Sequence, residues 1–419
     1  MRLKFLFILG ALAFGFTTLM AQSVVSPYSS YGLGDITPIS FSHNDGMGGI
    51  GIGSPQFFFI NNQNPAWLSY NIYSTFQAGI KTDVRSYEAG GTNASDRSAS
   101  LNYLSIAFPV MNGRWSTNLG LTPLSIVNYD ITSTQSIDNT SDIANNEFQG
   151  NGGLTQLYWA NGFRIAKGLN LGVRAAYNFG TLEQNVRNSV VRDSLLISIY
   201  KAEFQERSSY SDVTLILGLA HRIRLKNENS FNYGVTYRLG GTLTGTRDVN
   251  LRRLAANNTL IQDQRIVEDE EISADLPMEI GFGVSYQKSN KFLVGLDGRF
   301  TSWENVDGIG VNTRNTLSFG LGGSYTPDYK SVQNYLNRVI YRFGLSYNQL
   351  PYVINQTEIN DFGINFGASF PISGSSSIDA SFKFGTRGED QNNLVRENYF
   401  QFVLGITFND RWFIKRRYD

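Results

Sequence analysis

Charged residues are sparse in this chain, and on one face of its alternating pattern they accumulate. Arg164, Arg174, Arg222, Arg238, Arg299, Arg342 and Lys383 share that face with Glu279, Asp297, Asp361 and Asp379. Guanidinium groups in excess on an enclosed surface could hold an anionic headgroup, such as a carboxylate, through paired hydrogen bonds. They could equally form ion pairs with the wall that carries them. Three consecutive aromatic residues, Phe57, Phe58 and Phe59, could line an apolar pocket beside such a site or simply anchor their own segment. With Arg174, Arg238 and Arg299 they make up the candidate site for a hydrophobic small molecule.

Acid–base chemistry has little to work with. Only His43 and His221 titrate near neutrality, and a hydrolytic triad or a metal site needs a histidine with partners. There is no cysteine, so disulfides and thiolate metal ligands are excluded. Gly46, Gly48 and Gly51 spell G-x-G-x-x-G, but the strand before and the helix after that a dinucleotide site requires are missing. Glu268, Asp269, Glu270 and Glu271 form an acidic run that reads as a solvated loop, or as a divalent-cation bridge to lipopolysaccharide. No enzyme activity, cofactor or metal is expected.

The elements that position these residues follow an export signal. Arg2 and Lys4, an apolar run from Phe5 to Met20 and a small residue at Ala21 have the layout of a secretory signal peptide, residues 1–21. Its removal leaves a net charge of about −2, which gives no reason to expect nucleic acid. The chain is 17% charged, against about 25% in soluble domains, and it contains 42 glycines and 13% aromatic residues. From about Ser74 the apolar period is two almost to the end, as in Phe231, Tyr233, Val235, Tyr237 and in Phe400, Phe402, Leu404, Ile406. We count about 14 strands, an even number.

Short connections such as Asn112-Gly113, Lys167-Gly168 and Lys226–Asn229 alternate with long polar ones near 89–98, 130–153, 181–210, 247–275, 302–315, 349–358 and 386–395. Thr326–Asn337 is long where that alternation asks for a short turn. Short turns on one side and long loops on the other mark an outer-membrane barrel, apolar outside and polar inside. The fold expected is therefore all-β: a transmembrane antiparallel β-barrel, residues 72–408, integral to the bacterial outer membrane.

Inside it, nearly every strand places a glycine on the polar face, among them Gly162, Gly172, Gly218, Gly234, Gly281, Gly283, Gly320, Gly344, Gly367 and Gly405. Barrel curvature is one reason; close approach of another backbone is the other. That backbone is the stretch Asp45–Ser69, within an N-terminal periplasmic and plug segment of residues 22–71. Gly46, Gly48, Gly49, Gly51 and Gly53 suit tight packing, and Asn64-Pro65-Ala66 ends an Asn/Gln cluster. A basic-aromatic tail, residues 409–419, carries Arg411, Trp412, Phe413, Lys415, Arg416 and Arg417 as a candidate partner site on the periplasmic side.

The run Gly46–Gly53 followed by Asn64-Pro65-Ala66, with about 14 strands behind it, resembles the N-terminal hatch and barrel of the FadL/TodX outer-membrane transporters and their PorV-type relatives. The transporter resemblance implies uptake of hydrophobic compounds such as long-chain fatty acids, sometimes with lateral release through the wall. The PorV-type resemblance implies a non-conducting accessory barrel that binds partners in outer-membrane protein export or assembly. The start SPYSSYGLGD and the basic tail depart from the transporter pattern, and no family fatty-acid contact carries over. Partners implied are outer-membrane lipid and lipopolysaccharide, a hydrophobic small molecule, and an export or assembly protein.

Overall fold

The computed structural model describes residues 26–191, 200–304, 306–308, 310–392 and 394–412. The expected signal peptide, residues 1–21, and Phe413, Lys415, Arg416 and Arg417 of the tail lie outside the described residues. Seventeen strands share one sheet. They are β1 (Asp35–Ile36), β2 (Ser74–Ala89), β3 (Thr92–Met111), β4 (Trp115–Ser136), β5 (Ile143–Arg164), β6 (Leu169–Val191), β7 (Tyr200–Arg224), β8 (Asn229–Arg238) and β9 (Gly241–Ala255). After them come β10 (Leu260–Leu276), β11 (Met278–Lys288), β12 (Phe292–Ser302), β13 (Thr316–Tyr325), β14 (Ile340–Ile354), β15 (Thr357–Pro371), β16 (Ser377–Arg387) and β17 (Arg396–Asp410).

Neighbours pair antiparallel, and β17 closes on β2 with Ile406 opposite Ala78. Two long strands are each interrupted once. β7 pairs with β8 through its lower half and with β9 through its upper half, and β11 and β10 face them in turn. The breaks fall at Leu239-Gly240 and at Pro277, which cannot donate to a ladder. Counting each interrupted pair once, and setting aside the two-residue β1, the wall is a closed ring of 14 strands.

Apolar residues face out: Leu215, Leu217 and Leu219 are exposed while Thr214, Ile216 and Ala220 on the alternate positions are buried. This is the polarity an integral outer-membrane barrel requires, because in lipid every backbone group must be paired and the outer face meets hydrocarbon. His221 continues the outward register and hydrogen-bonds Tyr233.

Several stretches expected as loops are mostly strand. β2 and β3 meet at Gly90-Gly91, β4 and β5 run to Ser136 and from Ile143, and β14 and β15 turn at Asn355-Gln356. Pairing between β5 and β6 is unbroken from Ile143↔Val191 to Arg164↔Asn170. Beyond the lipid both faces carry polar residues, so the period-two signal fades although the ladder continues. The acidic run lies on β10, where Glu270 pairs with Arg247 and Glu268 with Arg265.

The last strand extends to Asp410, so the tail starts later than 409. The N-terminal segment is not wholly periplasmic. Residues 26–37 lie in the outer half, tied to the upper edge of β4 by Asp35↔Ile126 pairing and by Ser26 donating to the Asn128 carbonyl. That edge offers free backbone groups, and an extended segment satisfies them.

Closure of the ring predicts heat-modifiable migration. Unboiled protein in detergent gel electrophoresis should run faster than boiled protein, and identical migration of the two samples would contradict a closed barrel.

Candidate functional site: the hatch and the outer vestibule

From Phe41 the chain crosses the lumen as a hatch. One helical turn, α1 (Ser42–Asp45), leads into Gly46–Gly53, and a 3-10 turn, Pro65–Tyr70, leads out to β2. Asn64 caps that turn by accepting from the Ala66 N–H, with Pro65 in the first position, where no N–H is needed. Asn61 holds the hatch to itself, donating to the Gly51 and Ser54 carbonyls and accepting from the Gln63 and Asn64 amides.

The wall supplies the remaining partners. Asp297 on β12, 1% exposed, accepts from three successive hatch amides: Gly51 at 2.6 Å, Ile52 at 2.7 Å and Gly53 at 3.3 Å. Such a row of N–H groups is a backbone anion nest, here filled by a protein carboxylate. Gln77 accepts from Ile60, Ser285 donates to the Gly53 carbonyl, Asn365 to that of Asp45 and Asn64 to that of Leu219.

The inner-face glycines are where the hatch touches. A Cβ at Gly172 would meet Pro65 and Ala66, at Gly322 or Gly344 it would meet Met47, and at Gly283 the Gly53 amide and Asp297. Each inner-face glycine named above has a hatch atom where its Cβ would be, whereas at Gly363 and Gly385 wall side chains, Lys383 and Tyr399, fill the space. Close approach, more than curvature, explains the pattern.

The candidate ligand residues are already engaged. Arg174 is fully buried, donates to Asn62 and Gln156 and lies over the Tyr158 ring. Arg299 donates to Gln63, and Arg238 pairs with Glu279 at 3.3 Å. Phe57 sits under Arg222 against Tyr70, Phe58 near Tyr73, and Phe59 stacks on His43 beneath Arg342. Of the candidate tail, Trp412 is exposed and Arg411 lies over Tyr73.

His43 is fully buried and neither ring nitrogen has a hydrogen-bond partner. Burial, with the Arg342 cation nearby, holds it well below its usual pKa, so it is a neutral ring in an aromatic stack.

Above the hatch lies a vestibule of about 320 Å3. Its walls are ion-paired: Asp361 bonds Lys383 and Arg387, Arg387 reaches Asp35, and Arg85 bonds Glu397. Ser26 donates to the same Glu397. An apolar core that includes Leu33, Leu124, Val127, Leu154, Leu182 and Trp303 packs inside the upper wall.

Beside the vestibule the wall parts. Pairing of β3 with β4 runs from Met111↔Trp115 to Leu104↔Leu121 and stops. Pro123, a register shift after it, and Gly152 and Gly153 at φ 112° and 149° bend β4 and β5 there. The vestibule is lined on that side by Ser98–Ser100 of β3 and by Ile126 and Asn128 of β4. A proline inside a strand pattern and a Gly-Gly pair two strand lengths later were the sequence signs of this bend.

A closed 14-stranded barrel with an N-terminal segment folded into its lumen has the architecture of the FadL/TodX-type channels, and its place is the outer membrane. The chain belongs to the BamG family, whose profile matches residues 1–419. No curated protein matches it. Among solved structures, the Pseudomonas putida toluene transporter TodX is 14% identical, with 90% of this chain and 99% of that one covered at a TM-score of 0.58. The CymD monoaromatic hydrocarbon channel is 16% identical over 91% and 99% at 0.56, and the Ralstonia pickettii toluene transporter TbuX 14% over 90% and 99% at 0.54. These similar structures are transport channels, not enzymes.

Two outcomes follow from the geometry. Replacing Asp297 by alanine strands three buried amides, so D297A should lose about 3 kcal/mol of stability. A lowered unfolding midpoint together with protease cleavage between 46 and 60 would report it; an unchanged midpoint would discount the clamp. His43→Phe keeps the stack without buried nitrogens, and its unfolding free energy should stay within about 1.5 kcal/mol of the parent in denaturant titration.

Proposed function

We propose that this barrel does not conduct solute along its axis, and that it serves as an accessory barrel binding partners in outer-membrane protein export or assembly. The observation that carries this reading is the closed lumen. Hatch backbone lies directly on the glycine wall, its polar groups are held by buried side chains, and Phe57 and Phe59 pack against Tyr70 and His43. The space above the hatch is a vestibule on the outer side in which the Asp361–Lys383 pair and Arg85 stand among apolar residues such as Ile39, Ile126 and Leu350. A barrel closed in this way acts through its surfaces.

A second reading is favoured by one feature, the parted wall between β3 and β4. It supports uptake of hydrophobic compounds, long-chain fatty acids or aromatic hydrocarbons, entering the vestibule and leaving sideways into lipid. Phe57–Phe59, Arg174, Arg238 and Arg299 would bind such a compound only after the hatch had let go of them.

Reconstitution separates the two. In planar bilayers the protein should give no conductance steps, and proteoliposomes should take up a labelled fatty acid or toluene no faster than protein-free vesicles. Uptake several-fold above that background would replace the accessory reading with the transport one. Cross-linking in intact cells should join the barrel to an outer-membrane or periplasmic protein at near-equal amounts, and recovery of the barrel alone would count against a partner role.

A further inference from the structure

The long connection on the periplasmic side, 326–339 between β13 and β14, is a built surface. The Asp328 amide donates to the Asn337 carbonyl and Asn334 caps a 3-10 turn, Tyr335–Arg338, by accepting from Leu336. This folded loop points its apolar residues away from the protein: Val332 is 95% exposed and Leu336 58%. Tyr329, Tyr335 and Ile372 of the next turn are also exposed. Folding a loop to display apolar side chains to water has no benefit, so something covers them.

The loop is fastened on the lipid side of the wall. Tyr341, an outward residue of β14, donates to the Leu336 carbonyl at 3.1 Å, and Tyr335 donates to the Pro371 carbonyl at 2.9 Å. The apolar patch is thus continuous with the outward belt of Tyr325, Tyr341 and Phe370. Three cations flank it, each over a tyrosine ring: Lys330 on Tyr329, Arg338 on Tyr335 and Lys291 on Tyr325. None of them joins an ion pair among the described residues.

We propose that loop 326–339 is an anchor in the periplasmic leaflet, with Val332 and Leu336 among the acyl chains and Lys291, Lys330 and Arg338 on phospholipid phosphates. Aromatic rings and basic side chains at a membrane boundary, with aliphatic residues beyond them, match the layering of such a leaflet. The anchor would fix the tilt and rotation of the barrel on this side, whichever role the lumen plays.

The chain has no cysteine, so V332C introduces a single thiol for a polarity-sensitive fluorophore. In liposomes of phosphatidylethanolamine and phosphatidylglycerol, nitroxide lipid should quench this label at least about threefold more than one at K167C in a short periplasmic turn. Aqueous iodide should show the reverse order. L336C is a second reporter should V332C not fold, judged by heat-modifiable migration. K330E with R338E should remove most of the lipid quenching at V332C. A V332C label as open to iodide as K167C, and no more quenched by nitroxide lipid, overturns the anchor and leaves this face to a periplasmic protein.

Discussion

Three backbone N–H groups of the hatch converge on the Asp297 carboxylate, and the rest of the lumen is arranged so that this contact can form. An irregular segment inside a membrane barrel has no ladder of its own, so its polar groups are met partly by its own side chains, such as Asn61 and Asn64, and partly by side chains from the wall. The inner face is polar for this reason. Gln77, Asn365, Ser285 and Arg174 each meet a hatch amide, carbonyl or side chain, as Asp297 does. Glycine is the other half of the arrangement. Only where the wall has no Cβ can the hatch come within hydrogen-bond reach of those side chains, as at Gly283 beside Asp297.

The arginines on the same face show how the interior is balanced. From sequence they could hold an anionic ligand or pair internally. In the structure Arg174 and Arg299 bind hatch groups, while Arg85, Arg238, Arg387 and Lys383 pair with wall carboxylates and Asp35. Breaking one partner of a buried pair leaves a charge without compensation, at a cost of about 3–5 kcal/mol. An anionic ligand would have to replace those carboxylates one for one.

Much of the ring was legible because period-two alternation and even strand number are properties of each strand alone. Strands β5 through β7 read correctly in the lipid zone and were cut short above it, where Glu147, Arg187 and Glu203 pair on the outward side and the apolar signal disappears. The glycines announced a close neighbour. Which neighbour met which strand was not legible, because Asp297 lies 246 residues from Gly51 and nothing local distinguishes it from other inner-face carboxylates. The strap 26–37 was missed for a related reason: its short strand exists only because Pro123 and the bulge beyond it leave the β4 edge unpaired.

That strap covers the place where the wall parts. Moving the hatch requires giving up the Asp297 nest, the Arg174 and Arg299 contacts and a run of backbone packing around most of the ring. The β3–β4 gap is covered by the two-residue pairing of β1, the Ser26 and Ser29 bonds to Asn128, the Ser26 bond to Glu397, the Asp35–Arg387 bridge and the burial of Tyr28 and Leu33 in apolar clusters. One N-terminal segment is thus fastened twice, by its hatch to the glycine-lined inner face and by its strap to the unpaired edge of β4, and each fastening satisfies backbone groups that the ladder leaves free.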